Sequence, residues 1–312
     1  MTQYLRYVAV TADDTADFST LRCRFQISQW TTQTPSILKL IISNPEPARA
    51  QQFVQQEYKT ITIDAGYQDG HGVIFKGDIK QSIYGRESPT DTIVTVYAAD
   101  LDRFHNYAVV HTTFPPGSTP QQHFNAAINA APSQYGVSAG YVGVDLSTPV
   151  FPRAVTLFGM ARDVLANIAK GKEATVSYQQ GKVQMLQNGQ SMPGGAIKLN
   201  STTGLIGMPT QTIQGIFARC LIDPAIHIGS QIYIDQKDIQ GAYAPITLTS
   251  QNEITQAIMA HIATDGMYTV YRIDVDGDTR GNQWYMDLMM VSTSGPATPG
   301  EAKARSIYLG QG

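Results

Sequence analysis

Near the C-terminus two apolar-rich runs, residues 268–275 and 283–291, flank a turn built from Asp276, Gly277, Asp278, Arg280, Gly281 and Asn282. Extended chain places successive side chains on opposite faces, and a cluster of Asp, Gly and Asn reverses its direction, so this stretch is constrained to a β-hairpin. A second such pair lies in the N-terminal half. There Gly72-Val-Ile-Phe-Lys-Gly-Asp-Ile-Lys runs into the polar break Tyr84-Gly-Arg-Glu-Ser-Pro-Thr-Asp and then into Thr92-Ile-Val-Thr-Val-Tyr-Ala-Ala-Asp. Two β units, one toward each end, with a segment of mixed character between them, set the frame for the rest of the chain.

Strands are expected at residues 6–10, 21–29, 36–43, 60–65, 73–83 and 92–98, with Arg22-Cys-Arg-Phe-Gln-Ile-Ser alternating at period two and Asn, Pro, Gly and Asp in the breaks. Strands at this spacing suit a small antiparallel barrel or sandwich, assigned to residues 1–103. Residues 46–56, with Pro47 near the start, read as a short helix or loop across one end. Composition shifts at Asp100. Phe114-Pro-Pro-Gly-Ser-Thr-Pro is a break, after which Ser118 or Thr119 caps a helix that has Pro120 at its first position and Phe124, Ala127, Ile128 and Ala131 on one face. A second helix is predicted over 156–169 from the spacing of Leu157, Met160, Val164, Leu165 and Ile168, stopped by Lys170-Gly171. Strands 174–179 and 182–187, joined tightly at Gln180-Gly181, complete a small α+β domain over 104–190. After a linker beginning at Asn188, strands at 196–199, 213–221 and 231–234 join the C-terminal hairpin in a second β domain over 191–295. Residues 249–255 read as a polar loop, and 296–312 as a weakly ordered tail apart from Ile307-Tyr-Leu. The expected fold class is mainly β, with two antiparallel β-barrel domains flanking the α+β domain.

At 312 residues the chain exceeds one compact domain, in keeping with this division. Charged residues make up only 15%, against about 25% in typical soluble proteins, and a surface poor in charge is readily covered by other subunits, so an oligomer is expected. A net charge of -3 supplies no basic field for tight non-specific binding of nucleic acid. Cys23 and Cys220 lie far apart and in different proposed domains, which argues for folding in a reducing cytoplasm without a disulfide framework. The N-terminus is too polar for a signal peptide, and no run approaches the roughly 18 apolar residues of a spanning helix, so neither export by the usual routes nor a membrane segment is expected.

No catalytic, cofactor-binding or metal-binding residue is assigned. Asp274, Asp276 and Asp278 alternate at the spacing of calcium-loop ligands, but the loop rule wants Gly where Thr279 stands and Glu where Tyr285 stands. They are read as a polar hairpin. His71, His105, His111, His123, His227 and His261 show no paired metal spacing, and no nucleophile elbow supports a triad. Asp64, Asp69, Asp78 and Glu87 surround the first hairpin and could form a glycosidase pair, although acidic residues beside strand turns are usually solvated. Met192-Pro-Gly-Gly-Ala lacks the Lys-Ser/Thr of a phosphate loop and reads as linker. The 16 tyrosines, without accompanying Lys/Arg clusters, are expected at sheet faces and subunit interfaces.

The order of pieces resembles the hub proteins of contractile bacteriophage tails. The resemblance rests on Val73-Ile-Phe-Lys-Gly-Asp-Ile with Thr92-Ile-Val-Thr-Val-Tyr-Ala-Ala-Asp for the first domain, and on Ala161-Arg-Asp-Val-Leu-Ala-Asn-Ile-Ala through Ser177-Tyr-Gln-Gln-Gly-Lys-Val-Gln-Met-Leu for the middle one. Asp276-Gly-Asp-Thr-Arg-Gly-Asn-Gln-Trp-Tyr carries it for the last, and the likeness spans residues 6–291. It implies two tail-tube-like barrels per chain and a homotrimer whose pseudo-six-fold ring adapts a hexameric tail tube, or its initiator, to a trimeric central spike. It further implies a channel through which tape-measure protein and DNA pass without specific binding, a place in the virion baseplate after assembly in the host cytoplasm, and no enzymatic activity or cofactor. A phage-like injection machine could use the same part. The hairpins around 82–91 and 276–282 are candidates for pairing with neighbouring subunits. The alternatives are a cell-wall-binding or peptidoglycan-degrading tail protein and a hexameric tube initiator.

Overall fold

A computed structural model describes residues 5–31, 34–212, 215–235, 239 and 265–292. The expected loop 249–255, the tail 296–312, the start of the strand expected at 213–221 and His261 lie outside the described residues. The chain opens with β1 (Arg6–Ala12), β2 (Ala16–Asp17), β3 (Cys23–Trp30), β4 (Ile37–Ser43), α1 (Pro47–Val54), β5 (Thr60–Tyr67), β6 (Gly70–Arg86) and β7 (Thr92–Ala99). Then follow α2 (Asp102–Tyr107), β8 (Val109–Phe114), α3 (Pro120–Asn129), β9 (Ser138–Val142), β10 (Val155–Met160), α4 (Ala161–Gly171), β11 (Ala174–Gln179) and β12 (Lys182–Gln187). The last elements are β13 (Ile197–Lys198), β14 (Leu205–Thr212), β15 (Gly215–Leu221), β16 (Gln231–Tyr233), β17 (Met267–Asp278) and β18 (Trp284–Ser292). The protein is thus mainly β with a small helical part, as the sequence pattern predicts.

Hydrogen bonding links the two β regions into one 13-stranded sheet, whose main path runs β14-β15-β18-β17-β3-β4-β7-β6-β5-β1-β2. The joint is the antiparallel pair β3–β17, with Phe25 opposite Gly277 and Trp30 opposite Arg272. The first residues of β17 pair instead with β16. A register shift between Val270 and Arg272 falls between the two partners, as expected of a bulge that turns a strand from one neighbour to the next. One apolar core runs beneath both regions: Phe25, Leu40, Ile63 and Val96 belong to the same buried cluster as Ile216, Val270, Trp284 and Leu288. The period-two pattern that predicts the strands appears directly as burial, with Cys23, Phe25, Ile27 and Gln29 inward along β3.

The middle segment has its own core of Phe104, Phe124, Leu165, Tyr178, Val183 and Met185. Thr119, of the two caps considered, closes the start of α3 in a capping box with Gln122. The second helix begins later than its apolar spacing suggests. Residues 155–160 form β10, antiparallel to β8, and only at Ala161 does α4 start. Gly159 (φ 147°) has a backbone conformation closed to an α-helix, and β-branched Val155 and Thr156 favour the strand. α2, β2, β8, β9 and β14 are unforeseen. In β14, Pro209 removes a ladder donor, which an edge strand tolerates, and β14 is the end of the sheet. Among the described residues no helix is long and apolar enough to cross a membrane.

Candidate assembly surfaces

The C-terminal hairpin is longer than its turn residues suggest. The strand continues through Asp276, Gly277 and Asp278, and residues 279–283 make the connection. Packing from both neighbouring strands explains this. Gly277 faces Phe25 on β3 and Trp284 on β18, and a Cβ on Gly277 would lie 2.1 Å from the Phe25 ring. The two rings meet edge-on at 5.9 Å. Gly277 is therefore required for a close approach beneath an aromatic ring rather than for a turn.

Polar contacts fasten the same seam. Arg22 donates to both carboxylate oxygens of Asp278, at 3.2 and 2.6 Å. The Arg22 hydrogen bond holds the Asp278 carboxyl below its ordinary range against the opposing effect of burial. Thr279 N–H donates to the Cys23 carbonyl at 3.0 Å, and Cys23 N–H to the Thr279 hydroxyl at 3.0 Å. Gln26 donates to Asp276 at 2.9 Å, and Arg272 to Asp274 at 2.7 Å. Each of the three alternating aspartates thus has its own protein donor. The hairpin expected to reach toward a neighbouring subunit already pairs with β3 of its own chain, and Arg6 and Arg280 tie its turn to the N-terminal half through Gly281 and Thr20.

Open edges lie elsewhere. β5 covers β6 only as far as Asp78, and beyond a register shift at residues 79–81 the rest of β6 pairs, among the described residues, with β7 alone. This free flank carries exposed Ile83 and Tyr84. β14 ends the sheet with Ile206 and Met208 exposed. The β8–β10 ribbon is a separate two-stranded sheet on which Phe158 is 83% exposed. Unpaired backbone beside exposed apolar side chains is the usual setting for strand addition by another chain.

Among the described residues, the acidic and histidine side chains singled out from the sequence are spread over separate contacts. Asp64 meets His71 at 3.0 Å, while His71 stacks on Tyr7 at 3.8 Å. Asp69 is exposed in the β5–β6 turn. Asp78 is nearly buried and gripped by Arg103 at 2.6 and 2.7 Å, and Glu87 takes two hydrogen bonds from Arg24. Ser118 and His123 do come together at 3.2 Å, but both are buried, and His123 lies between Phe114 and Phe151. Burial lowers the pKa of His123 and of His227. His105 packs edge-on to Tyr178, and His111 is exposed on β8. The linker at Met192 is docked, its N–H donating to the Gly229 carbonyl at 2.8 Å. A 410 Å³ cleft in the middle segment is lined by Pro120, Phe151, Leu157, Val164 and Ile168, a largely aliphatic surface without a facing carboxylate pair.

A residue that sequence reasoning missed is Asp100, just after β7. It is buried, and its carboxylate accepts from Gly181 N–H at 3.0 Å, across 81 residues of sequence. Burial pushes its pKa up to about 7, opposed by backbone hydrogen bonds from Gly181 and Gln180 and assisted by Asp78. Nothing in Ala-Ala-Asp announces this, because the burial is imposed by a distant turn.

The fold of the described residues is similar to that of solved phage-tail proteins. The 43 kDa tail protein of prophage MuSo2 from Shewanella oneidensis superimposes with a TM-score of 0.57 at 8% identity, over 92% of this chain and 96% of the other. A tail protein from Neisseria meningitidis MC58 gives 0.56 at 9% identity, over 96% and 99%. A type VI secretion component of E. coli, described as structurally similar to the T4 bacteriophage tail proteins gp27 and gp5, gives 0.53 at 9% identity, over 93% of this chain and 75% of its own. No protein-family model and no curated protein sequence matches the chain.

Proposed function

We propose that this chain is a structural hub of a contractile phage tail or a related injection machine. It forms a homotrimeric, pseudo-six-fold ring that joins the hexameric tail tube, or its initiator, to the trimeric central spike. The ring encloses a channel for tape-measure protein and DNA, sits in the virion baseplate after assembly in the host cytoplasm, and catalyses nothing. The observation that carries this reading is the likeness of fold over nearly the whole length of both this chain and two tail proteins. The continuous sheet supports it: two β regions locked together by β3 and β17 give each subunit a rigid double unit, as an adaptor between symmetries requires. The open flank of β6 and the edge strand β14 supply surfaces for a heterologous contact that closes after three copies. A net charge of -3 suits a wall along which DNA slides.

Light scattering on the purified protein followed by negative-stain class averages tests the proposal. A three-copy ring with six density lobes around a hole is expected. A six-copy ring would replace it with the tube-initiator reading, and a monomer that binds or clears cell-wall material would replace it with the wall-binding one.

A further inference from the structure

The turn joining β11 to β12 is where the middle segment is stitched to the large sheet. Gln180 (φ 54°) and Gly181 (φ 78°) are both left-handed, which folds the turn tightly. Gly181 N–H donates to Asp100 at 3.0 Å, the Gln180 side chain to the Val73 carbonyl, and the Gln179 side chain to the Ile228 carbonyl at 3.3 Å. From the sheet side, the Ser36 hydroxyl donates to the Tyr178 carbonyl at 3.2 Å. Asp100 is the ionisable member of this set and is 2% exposed. Of the titratable residues on the surrounding elements, Arg103 of α2 pairs with Asp78 of β6 and Lys80 with Asp102, while His227, next to Ile228 in the chain, is half-buried with its pKa lowered by lost hydration. Lys182, the first residue of β12, is exposed. Asp100 is thus a carboxyl group buried among backbone donors, and the carboxylate beside it, Asp78, is itself paired with Arg103.

We propose that Asp100 is a proton-sensitive latch that fastens the β11–β12 turn to the sheet and grips most firmly when its carboxyl is protonated. In the docked turn, lost hydration disfavours the ionised form, and the carboxyl keeps its proton to about pH 7. Released into water, it returns to an ordinary value near 4. The docked form has the raised pKa, so from about pH 4 to 7 it holds a proton that the released form has lost. Docking therefore weakens about tenfold for each pH unit of increase in that window, and levels off above it.

Hydrogen exchange on the full chain reads this directly. Protection of the Gly181 amide, corrected for the intrinsic pH dependence of exchange, is expected to fall about fiftyfold between pH 5 and pH 7, and to stay flat in an Asp100→Asn variant. An equal fall in both proteins, or none in the parent, overturns the latch. Should Asp100→Asn fail to fold, a carbon-13 titration of the Asp100 carboxyl in the parent decides the matter. A midpoint near 7 supports the proposal, and one near 4 refutes it.

Discussion

Gly277→Ala isolates the packing at the seam between the two β regions. The added Cβ would stand 2.1, 2.4 and 2.7 Å from three carbons of the Phe25 ring, whereas carbon atoms rest about 3.5–4.0 Å apart, so the ring must retreat by roughly 1.5 Å. It has little room: Phe25 is 1% exposed and held edge-on by Trp284. Overpacking of this kind costs about 1–3 kcal/mol, and replacing a strand glycine returns roughly 0.5–1 kcal/mol through backbone entropy. The net loss is about 1–2 kcal/mol. With a urea slope of about 3 kcal/mol/M, the unfolding midpoint drops by about 0.3–0.7 M. The chain has two tryptophans, Trp30 on β3 and Trp284 on β18, and both flank the seam, so intrinsic fluorescence follows the relevant transition. In a Phe25→Leu background the ring is gone and Gly277→Ala is expected to cost almost nothing, a coupling of about 1 kcal/mol or more. A midpoint within 0.1 M of the parent, or the same loss in both backgrounds, would refute the steric account.

Three further outcomes follow from the same geometry. Cys23 and Cys220 are buried, and lost hydration pushes both thiols up to about 12, so a thiol reagent at pH 8 should label neither in the native protein and both after unfolding in denaturant. Thr119→Ala removes the capping box of α3 and should cost about 1 kcal/mol, measured by chemical denaturation, with Thr119→Ser restoring most of it. Asp278 has a folded pKa held down by Arg22, so its contribution is present above about pH 4, the ordinary carboxylate value, and is lost as pH falls through the lower folded value. Acid unfolding of Asp278→Asn should therefore show a shallower pH dependence than the parent, and an unchanged slope would separate Asp278 from acid stability.

Strand positions were readable wherever one face of a strand meets the core and the other meets solvent or polar neighbours. The burial along β3 from Cys23 to Ser28 repeats the alternation of its sequence. The tight connection at Gln180-Gly181 and the Thr119 cap were readable because their chemistry is local: left-handed backbone in the first, a side-chain acceptor for a helix N–H in the second. Local signals failed where a distant partner decides. Leu157 and Met160 have helical spacing with Leu165 and Ile168, yet β8 draws residues 155–160 into a ribbon. Gly277 looks like a turn residue, but Phe25, more than 250 positions away, makes it a packing residue within a strand.

That this is a mainly β chain with a helical insert and two β regions is legible from neighbouring residues alone, because hydrophobic period and turn chemistry are local properties. Contacts between distant residues set the rest: the joining of those regions into one sheet by β3 and β17, the pairing of the C-terminal hairpin within its own chain, and the strand flanks that the described residues leave open. Register between distant strands depends on which side chains share a buried face, as Phe25, Gly277 and Trp284 do, and that is settled only when the whole core packs at once.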